Sequence, residues 1–392
     1  MSTNKKIAIL GIGQAGCRTV SEIHSLRQAE NFTIFAVDTD EHSLAECSIP
    51  EQNKLLAGAN WRYGQGCGGN AMAGSRAISS SRTQMENMLS GFDMIFFTGG
   101  LGRGSATGGL PVLSSVVKKR KIPAVFVVTT PFKMEGLSKQ RTAEAALKNE
   151  LYPLADVVLA LPNDLLFSIL PGNVSLDEAF RTSNRQIAKC VISLAMIFAG
   201  GNLLSANYSD LAELMQKKKS SVSIGIGLCS AKDAPEEKNS LLIERMLQSP
   251  LLGGIKKIKD SHAVIASLLG GQNLTSADCL HIFDKIREIT PENCQQIHSV
   301  STDESLGDSA ILSVITVKFD ESNDFESVLG VPDEGKITRR KNTDTISGEQ
   351  LGLPLDALSR GIMEHTAATI INNEDMDIPT FQRLQRKIDA GK

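Results

Sequence analysis

Glycine-rich stretches carry the first chemistry legible in this 392-residue chain. In Leu10–Gly16, "LGIGQAG", Gly11, Gly13 and Gly16 complete a GxGxxG pattern directly after the apolar run Ile7, Ala8, Ile9. Glycines at a strand-to-helix turn let backbone N–H groups approach an anion, and the helix that follows adds the positive end of its dipole. The chemistry is that of a phosphate site, whichever nucleotide bears the phosphate. A dinucleotide is one candidate, because the apolar run Phe32–Val37 ends in Asp38, about where an acidic residue would meet a ribose. A tight turn with no ligand is another.

A second run, "TGGLGRGSATGG" at Thr98–Gly109, follows the apolar strand Met94–Phe97 and leads into another helix at Leu110 and Pro111. A nicotinamide fold has no use for it. Two such loops in one sheet can enclose a polyphosphate from two sides. A third cluster, "YGQGCGGNAMAG" at Tyr63–Gly74, supplies more flexible backbone.

Those loops need a sheet to hold them. Short β-rich runs at Ile7–Leu10, Thr33–Val37, Met94–Thr98, Ala124–Thr129 and Val157–Leu161 alternate with helix-like or loop segments. Alternation of this kind implies an α/β domain with a parallel sheet wrapped by helices. A long helix begins near Ser175, where Ser175 and Glu178 have capping-box spacing, and ends at Gly200 and Gly201. Its apolar positions Ile187, Val191, Leu194 and Phe198 recur at helical spacing, as in a buried spine. Val222–Leu228, Ala263–Leu269 and Ile311–Phe319 read as strands of a smaller α+β unit. Beyond Asp320 the chain turns polar and charged, with one short helix near Leu355–Ile370 and an apolar, basic ending.

Composition narrows the function classes. The net charge is −3 and the pI about 6.1, so nothing global points to nucleic acid or an anionic membrane surface. The seven cysteines are dispersed, with no CxxC pair and no histidine at zinc-site spacing, which reads as reduced thiols of a cytoplasmic protein and no metal centre. No segment reads as a signal peptide or reaches membrane-spanning length, so direct membrane insertion is not expected and membrane association requires a partner.

The ordered set of motifs resembles the FtsZ family, the bacterial and archaeal relatives of tubulin. It comprises the three glycine clusters, "FAVDTD" (Phe35–Asp40), "TTPFKMEG" (Thr129–Gly136), "LPNDLL" (Leu161–Leu166), "LDEAF" (Leu176–Phe180), "SPLLGG" (Ser249–Gly254) and "DESLGD" (Asp303–Asp308). The resemblance covers roughly residues 6–319 and returns at the C-terminal end. It implies a parallel-sheet GTPase-type domain over 1–174, a central helix over 175–201, and a catalytic loop with a smaller α+β domain over 202–320. A flexible linker over 321–373 and a partner-binding peptide over 374–392 complete the expected organisation.

By the same resemblance, Gly11, Gly13, Gln14, Ala15, Gly16, Cys17 and Arg18 form the first nucleotide loop, and Thr39 and Asp40 the acidic one. Gly66, Gly68, Gly69 and Asn70 face the terminal phosphate, while Gly102, Arg103, Gly104, Ser105, Ala106, Thr107 and Gly108 cradle the phosphates. Glu135 meets the ribose, Phe180 packs on the base, and Lys139, Asn163, Asn184 and Arg185 complete the pocket. The implied ligands are GTP or GDP with magnesium, and subunits stack head to tail so that a loop of one completes the active site of the next.

The departures from the family pattern bear on chemistry. Arg103 and Ala106 replace glycines, Ser105 replaces a threonine, Lys139 an arginine, and "GQAGC" is closer to tubulin. Arg103 adds positive charge beside phosphate, although its bulk and restricted φ could equally block the loop. Arg185 stands where the family places an aspartate that accepts from guanine; arginine has donors only, which puts guanine preference in question. The catalytic loop reads "SANYSD": of the family's NxDxxD, Asp210 keeps one carboxylate, Ser205 replaces the asparagine, and Asn207 replaces the other aspartate. An amide positions water but cannot take its proton, so slow hydrolysis is expected, with Asp210 as the main catalytic group.

The ending fits the family's DIPxFxR peptide through Asp377, Ile378, Pro379, Phe381 and Arg383, with Ile378 and Phe381 as buried anchors. The expected protein is an FtsZ-like cytoskeletal GTP-binding protein that forms filaments in cell division, at the division site, tethered through an adaptor. The alternative is a non-hydrolysing homologue that copolymerises with or regulates an authentic FtsZ. An NAD-dependent oxidoreductase is the distant third.

Overall fold

The run Ile7–Ile12 is buried on both faces, as a central parallel strand must be. In the computed structural model, which describes residues 5–168, 174–199, 214, 219–230, 233–234, 237–319, 370–371 and 374–375, it is the hub of a six-stranded sheet. The strands are β1 (Ile7–Ile12), β2 (Thr33–Asp38), β3 (Lys54–Leu56), β4 (Met94–Gly100), β5 (Ala124–Thr130) and β6 (Val157–Pro162), all parallel, in the order β3-β2-β1-β4-β5-β6. Alternate residues of β1 serve different cores: Ile7 and Ile9 join one cluster, while Ala8, Leu10 and Ile12 join another. Both faces are therefore covered.

On the second of these faces lie the helices Ala71–Ser80, Arg82–Met88, Ser105–Arg120 and Leu137–Ala146, which contribute Ile78, Met85, Leu110, Leu113, Val117 and Ala143 to the core. The first face holds the helix Gly13–His24 and the central helix Leu176–Ala199. The Glu178 N–H donates to Ser175 Oγ at 3.2 Å, so Ser175 stabilises the first turn as its sequence position predicts. Ile187, Val191, Leu194 and Phe198 are buried as expected, and Phe198 meets Phe96 of β4 edge to face, ring centroids 6.0 Å apart. Cys190, Ile192 and Ile197 are buried too, which makes this helix a spine rather than a half-exposed amphipathic element.

The reason is a second sheet beyond it. The strands β7 (Lys219–Cys229), β8 (Ala263–Gly270), β9 (Gln295–Thr302) and β10 (Ala310–Phe319) lie in the order β7-β10-β8-β9. Strand β10 runs antiparallel to β7 and β8, whereas β8 and β9 are parallel. Ile224, Ile265, Ile315 and Val317 share a core with Leu194 and Phe198, so the spine is covered from both sides. On the sheet's other face the helices Lys238–Leu247 and Ser276–Ile289 bury Leu242, Met246, Ile282 and Ile286.

The contacts divide the chain into Met1–Val328, which contains both sheets, and Leu329–Lys392. In the latter, Ile370–Ile371 pairs antiparallel with Glu374–Asp375. The expected helix near Leu355–Ile370 falls almost wholly outside the described residues.

Candidate functional site

The strand order reverses between β1 and β4, because the chain proceeds outward from β1 to β2 and β3 on one side and through β4, β5 and β6 on the other. In a parallel sheet such a switch point opens a crevice at the carboxyl ends of the two strands. A cavity of about 560 Å³ lies there.

Two helices point their starts into it. Gly13–His24 begins directly after β1, and Ser105–Arg120 follows β4 after four residues; neither has a side chain capping its first turn. Their leading N–H groups and positive dipole ends converge on one space, which suits a polyanion. Side chains are excluded where backbones must close: a Cβ on Gly16 would lie 2.6 Å from the Thr98 carbonyl oxygen, and one on Gly108 would run into the Ala71 carbonyl. Gly16 thus lets the first helix lie directly on β4, and Gly108 lets the second cross the helix Ala71–Ser80 at backbone contact.

Of the residues expected to bind nucleotide, Gly13, Gln14, Ala15, Arg18, Asp40, Gly66, Gly68 and Gly69 line the cavity. Arg103, Gly104, Ser105, Ala106, Glu135, Lys139, Asn163, Phe180 and Asn184 line it as well. The remaining ones do not line it. Gly11 packs under Gly16, and Cys17 turns into the core, its thiol pushed up by its hydrogen bond to Cys47 and by burial. Thr39 is fully buried, Asn70 Oδ1 caps the helix Ala71–Ser80 by accepting from the Ala73 N–H at 3.1 Å, and Gly102 donates its N–H to Thr107 Oγ1 at 2.9 Å. Gly108 sits at the helix crossing already described. Arg185 points away from the cavity wall, 3.5 Å from Glu22 and 3.9 Å from Glu178. The expected catalytic Asn207 and Asp210, and the tail residues Asp377, Ile378, Pro379, Phe381 and Arg383, lie outside the described residues.

Several groups in and behind the wall are tied to one another. Asp38, at the end of β2, accepts from the Thr39 N–H at 2.7 Å and from Ser105; burial drives its carboxyl above the ordinary range, against the pull of these hydrogen bonds and of one from the Asp40 backbone. The hydroxyls of Thr39 and Ser105 are 2.8 Å apart, and Cys67 Sγ donates to Thr39 Oγ1 at 3.2 Å. Phe132 meets Phe180 edge to face at 5.7 Å, forming an aromatic corner at the central helix. Ser183 lines the cavity between Phe180 and Ile187.

The charged wall opposite is shared. Glu135 Oε2 accepts from Lys139 Nζ at 3.1 Å and lies 3.6 Å from an Arg103 terminal nitrogen, while Oε1 accepts from the Phe132 N–H at 3.2 Å. One carboxylate faces two cations, leaving a net positive charge for a ligand. Asp40 is committed elsewhere, because its Oδ1 accepts from the His42 and Ser43 N–H groups. Among the described residues no group of three or more His, Cys, Asp and Glu could hold a metal ion, so the donor set does not fit a resident magnesium. A cation would enter with the phosphates that bind it.

Residues 6–171 match the family model of the tubulin/FtsZ family GTPase domain. The cell division protein FtsZ of Buchnera aphidicola subsp. Baizongia pistaciae (strain Bp) is 26% identical over 401 residues, spanning 99% of this chain and 98% of that protein. Among solved structures, an empty FtsZ dimer from M. jannaschii is 26% identical and superposes with a TM-score of 0.72, covering 81% of this chain and 89% of that one. A GTPγS-bound protofilament of CetZ2 from Haloferax volcanii, 22% identical, shares the fold with a TM-score of 0.63 over 82% of this chain and 96% of its own.

Proposed function

We propose, from the premise that this chain is an FtsZ-like protein of the tubulin/FtsZ superfamily, that it binds GTP in the cavity between β1 and β4 and assembles head to tail into filaments that act in cell division. The observation that carries the reading is the convergence of two uncapped helix starts, Gly13–His24 and Ser105–Arg120, on one cavity at the switch point. The loops at Gly13–Ala15 and Arg103–Ala106 hold the phosphates through backbone N–H groups. Arg103 and Lys139 neutralise them, and Glu135 takes the ribose hydroxyls. The aromatic corner of Phe132 and Phe180 receives the base.

Hydrolysis is completed between subunits. Asp210 of the neighbouring copy orients and deprotonates the attacking water, assisted only weakly by Asn207, whose amide cannot accept the proton. Turnover is therefore slow. The C-terminal peptide around Ile378 and Phe381 docks on an adaptor that places the filament at the division site. A non-hydrolysing homologue that copolymerises with an authentic FtsZ is the second reading, favoured by Asn207 in place of a carboxylate.

Phosphate release from GTP with magnesium, measured across a series of protein concentrations, separates the two. Release that appears only above a threshold concentration supports a site completed between subunits. No release at any concentration, with GTP bound, favours the non-hydrolysing partner.

A further inference from the structure

Strand β10 serves two cores. Ile315 and Val317 pack with the central helix, while Leu312 and Val314 join the core beneath the helices Lys238–Leu247 and Ser276–Ile289. Alternation places Thr316 on the second of these faces, next beyond Val314, with Lys318 following it. The apolar packing ends there. The short helix Ile255–Lys259 buries Ile258 in the same core, and beside it, at the end of β10, lies a cavity of about 320 Å³. Gly253, Lys256, Lys257, Asp260, Thr316 and Lys318 line it, and it shares no residue with the nucleotide cavity.

Thr316 is 4% exposed, and its hydroxyl makes no hydrogen bond among the described residues. The unpaired hydroxyls of Ser114 and Ser183 are sealed from solvent, whereas Thr316 opens into the cavity. Lys256 and Lys257 have no ion pair among the described residues. Three ammonium groups meet one carboxylate, that of Asp260, so the cavity carries an excess of positive charge. A metal ion is repelled there, and an apolar ligand would strip water from the ammonium groups without replacing it. We propose that this cavity is an anion site that takes a phosphate monoester group, with the Thr316 hydroxyl donating from its floor and Lys256, Lys257 and Lys318 closing on it from the rim. A phosphate monoester offers three terminal oxygens to these four donors, where a carboxylate offers two. Asp260 repels the anion from one side and so holds it against the lysines and Thr316. The group arrives on a soluble phosphorylated compound or as a phospholipid headgroup.

The test is amine-reactive labelling of the full-length protein, read lysine by lysine in a mass spectrometer. Inorganic pyrophosphate at millimolar concentration should lower labelling of Lys256 and Lys257 by roughly threefold or more, relative to sodium chloride at equal ionic strength. Lys118 and Lys119, exposed at the end of another helix, should be unchanged. Thr316→Val should raise the half-protecting concentration roughly tenfold, the loss of one hydrogen bond to a charged group, and Thr316→Ser should retain protection. Without ligand, Thr316→Val should melt no lower than the wild type, because it removes an unpaired hydroxyl. Vesicles of phosphatidylcholine containing phosphatidic acid, beside vesicles of phosphatidylcholine alone, separate the two sources. Stronger protection by the former than by pyrophosphate at equal phosphate assigns the site to a lipid headgroup, and protection by pyrophosphate alone assigns it to a soluble phosphate. Protection by neither, equal protection by sodium chloride, or protection undiminished in Thr316→Val would overturn the inference. None of these readouts depends on the nucleotide cavity, so the functional reading above stands or falls separately.

Discussion

Thr39 and Ser105 join the floor of the cavity through hydroxyl oxygens 2.8 Å apart, tying the loop after β2 to the start of the helix after β4. Ser105 also donates to Asp38, and Cys67 donates to Thr39, so three separate loops share one hydrogen-bonded floor. A ligand that spans the cavity meets these loops already fixed relative to one another, and less ordering is left to do on binding.

Asp38 makes that floor sensitive to pH. Its carboxyl lies above the usual carboxylate range chiefly through burial, with the nearby charge of Asp40 adding to the shift. A carboxyl whose folded pKa is raised contributes stability that is fully present below the unfolded value, about 3.9, and lost as pH rises through the folded value. Wherever it is ionised, the group therefore destabilises the fold. Asp38→Asn, whose amide oxygen still accepts from Thr39 and Ser105, should raise the melting temperature at pH 7, with the gain vanishing toward pH 3. On the proposed reading, phosphate bound beside this group opposes its ionisation further. Wild-type GTP affinity should accordingly improve more than that of Asp38→Asn as pH falls toward the folded value, as read by titration calorimetry.

Arg103 and Lys139 compete for Glu135, and the distances rank them. Lys139 holds it at 3.1 Å, whereas Arg103 lies at 3.6 Å and is 65% exposed. Arg103 is the cation released to a ligand at least cost. Arg103→Ala should weaken tripolyphosphate and GTP by roughly tenfold at low salt, and the difference should shrink as salt screens the charge. Melting temperature should hardly change, because an exposed pair of this length contributes little to stability. Tighter binding by Arg103→Ala would mean that the arginine obstructs the loop.

Phe198 tests whether the central helix is a spine or a cover. It is buried against Phe96 and shares its core with Ile315 and Val317 of the second sheet. Phe198→Ala should cost about 3–5 kcal/mol in urea unfolding, typical of a large aromatic removed from a packed core. Both sheets should lose protection in hydrogen exchange together, because one helix serves them both. Loss confined to the second sheet would show that the two sheets are stabilised independently.

The sequence was most legible where physics demands an extreme pattern. Strands such as Met94–Phe97 are buried on both faces and read as continuous apolar runs, and the glycines that let backbones touch cannot be exchanged for other residues without collision. Strand β3, Lys54–Leu56, is three residues long and half-buried, so it carries no periodic signal. Strand β9, "QQIHSVST", was equally silent: Ser299 and Ser301 are buried, and hydroxyls inside a sheet look like a loop in a hydropathy pattern. At the site the glycine loops announced themselves. The burial of Asp38 against Ser105 and the pairing of Arg185 with Glu22 did not, because each depends on partners distant in the sequence that only the fold brings near.

Asp210 carries the sharpest prediction about chemistry. Hydrolysis needs a group that orients water and accepts its proton as the bond to phosphorus forms. In "SANYSD" only Asp210 can do both, because an amide or a hydroxyl is a poor base at neutral pH. On the proposed reading, in which the residue acts on a neighbour's ligand rather than its own, Asp210→Ala should lower phosphate release by roughly 10²-fold or more and leave GTP affinity within about twofold. Asn207→Asp adds the second carboxylate and should raise turnover by roughly ten- to a hundredfold at pH 7. Mixing the two variants refines the point: a copy with Asp210→Ala still presents an intact cavity to a neighbour that keeps Asp210, so wild type added to the variant should restore release from shared filaments. Turnover unchanged by Asp210→Ala would remove this residue from the mechanism, and the water would then have to be activated by groups within the cavity itself.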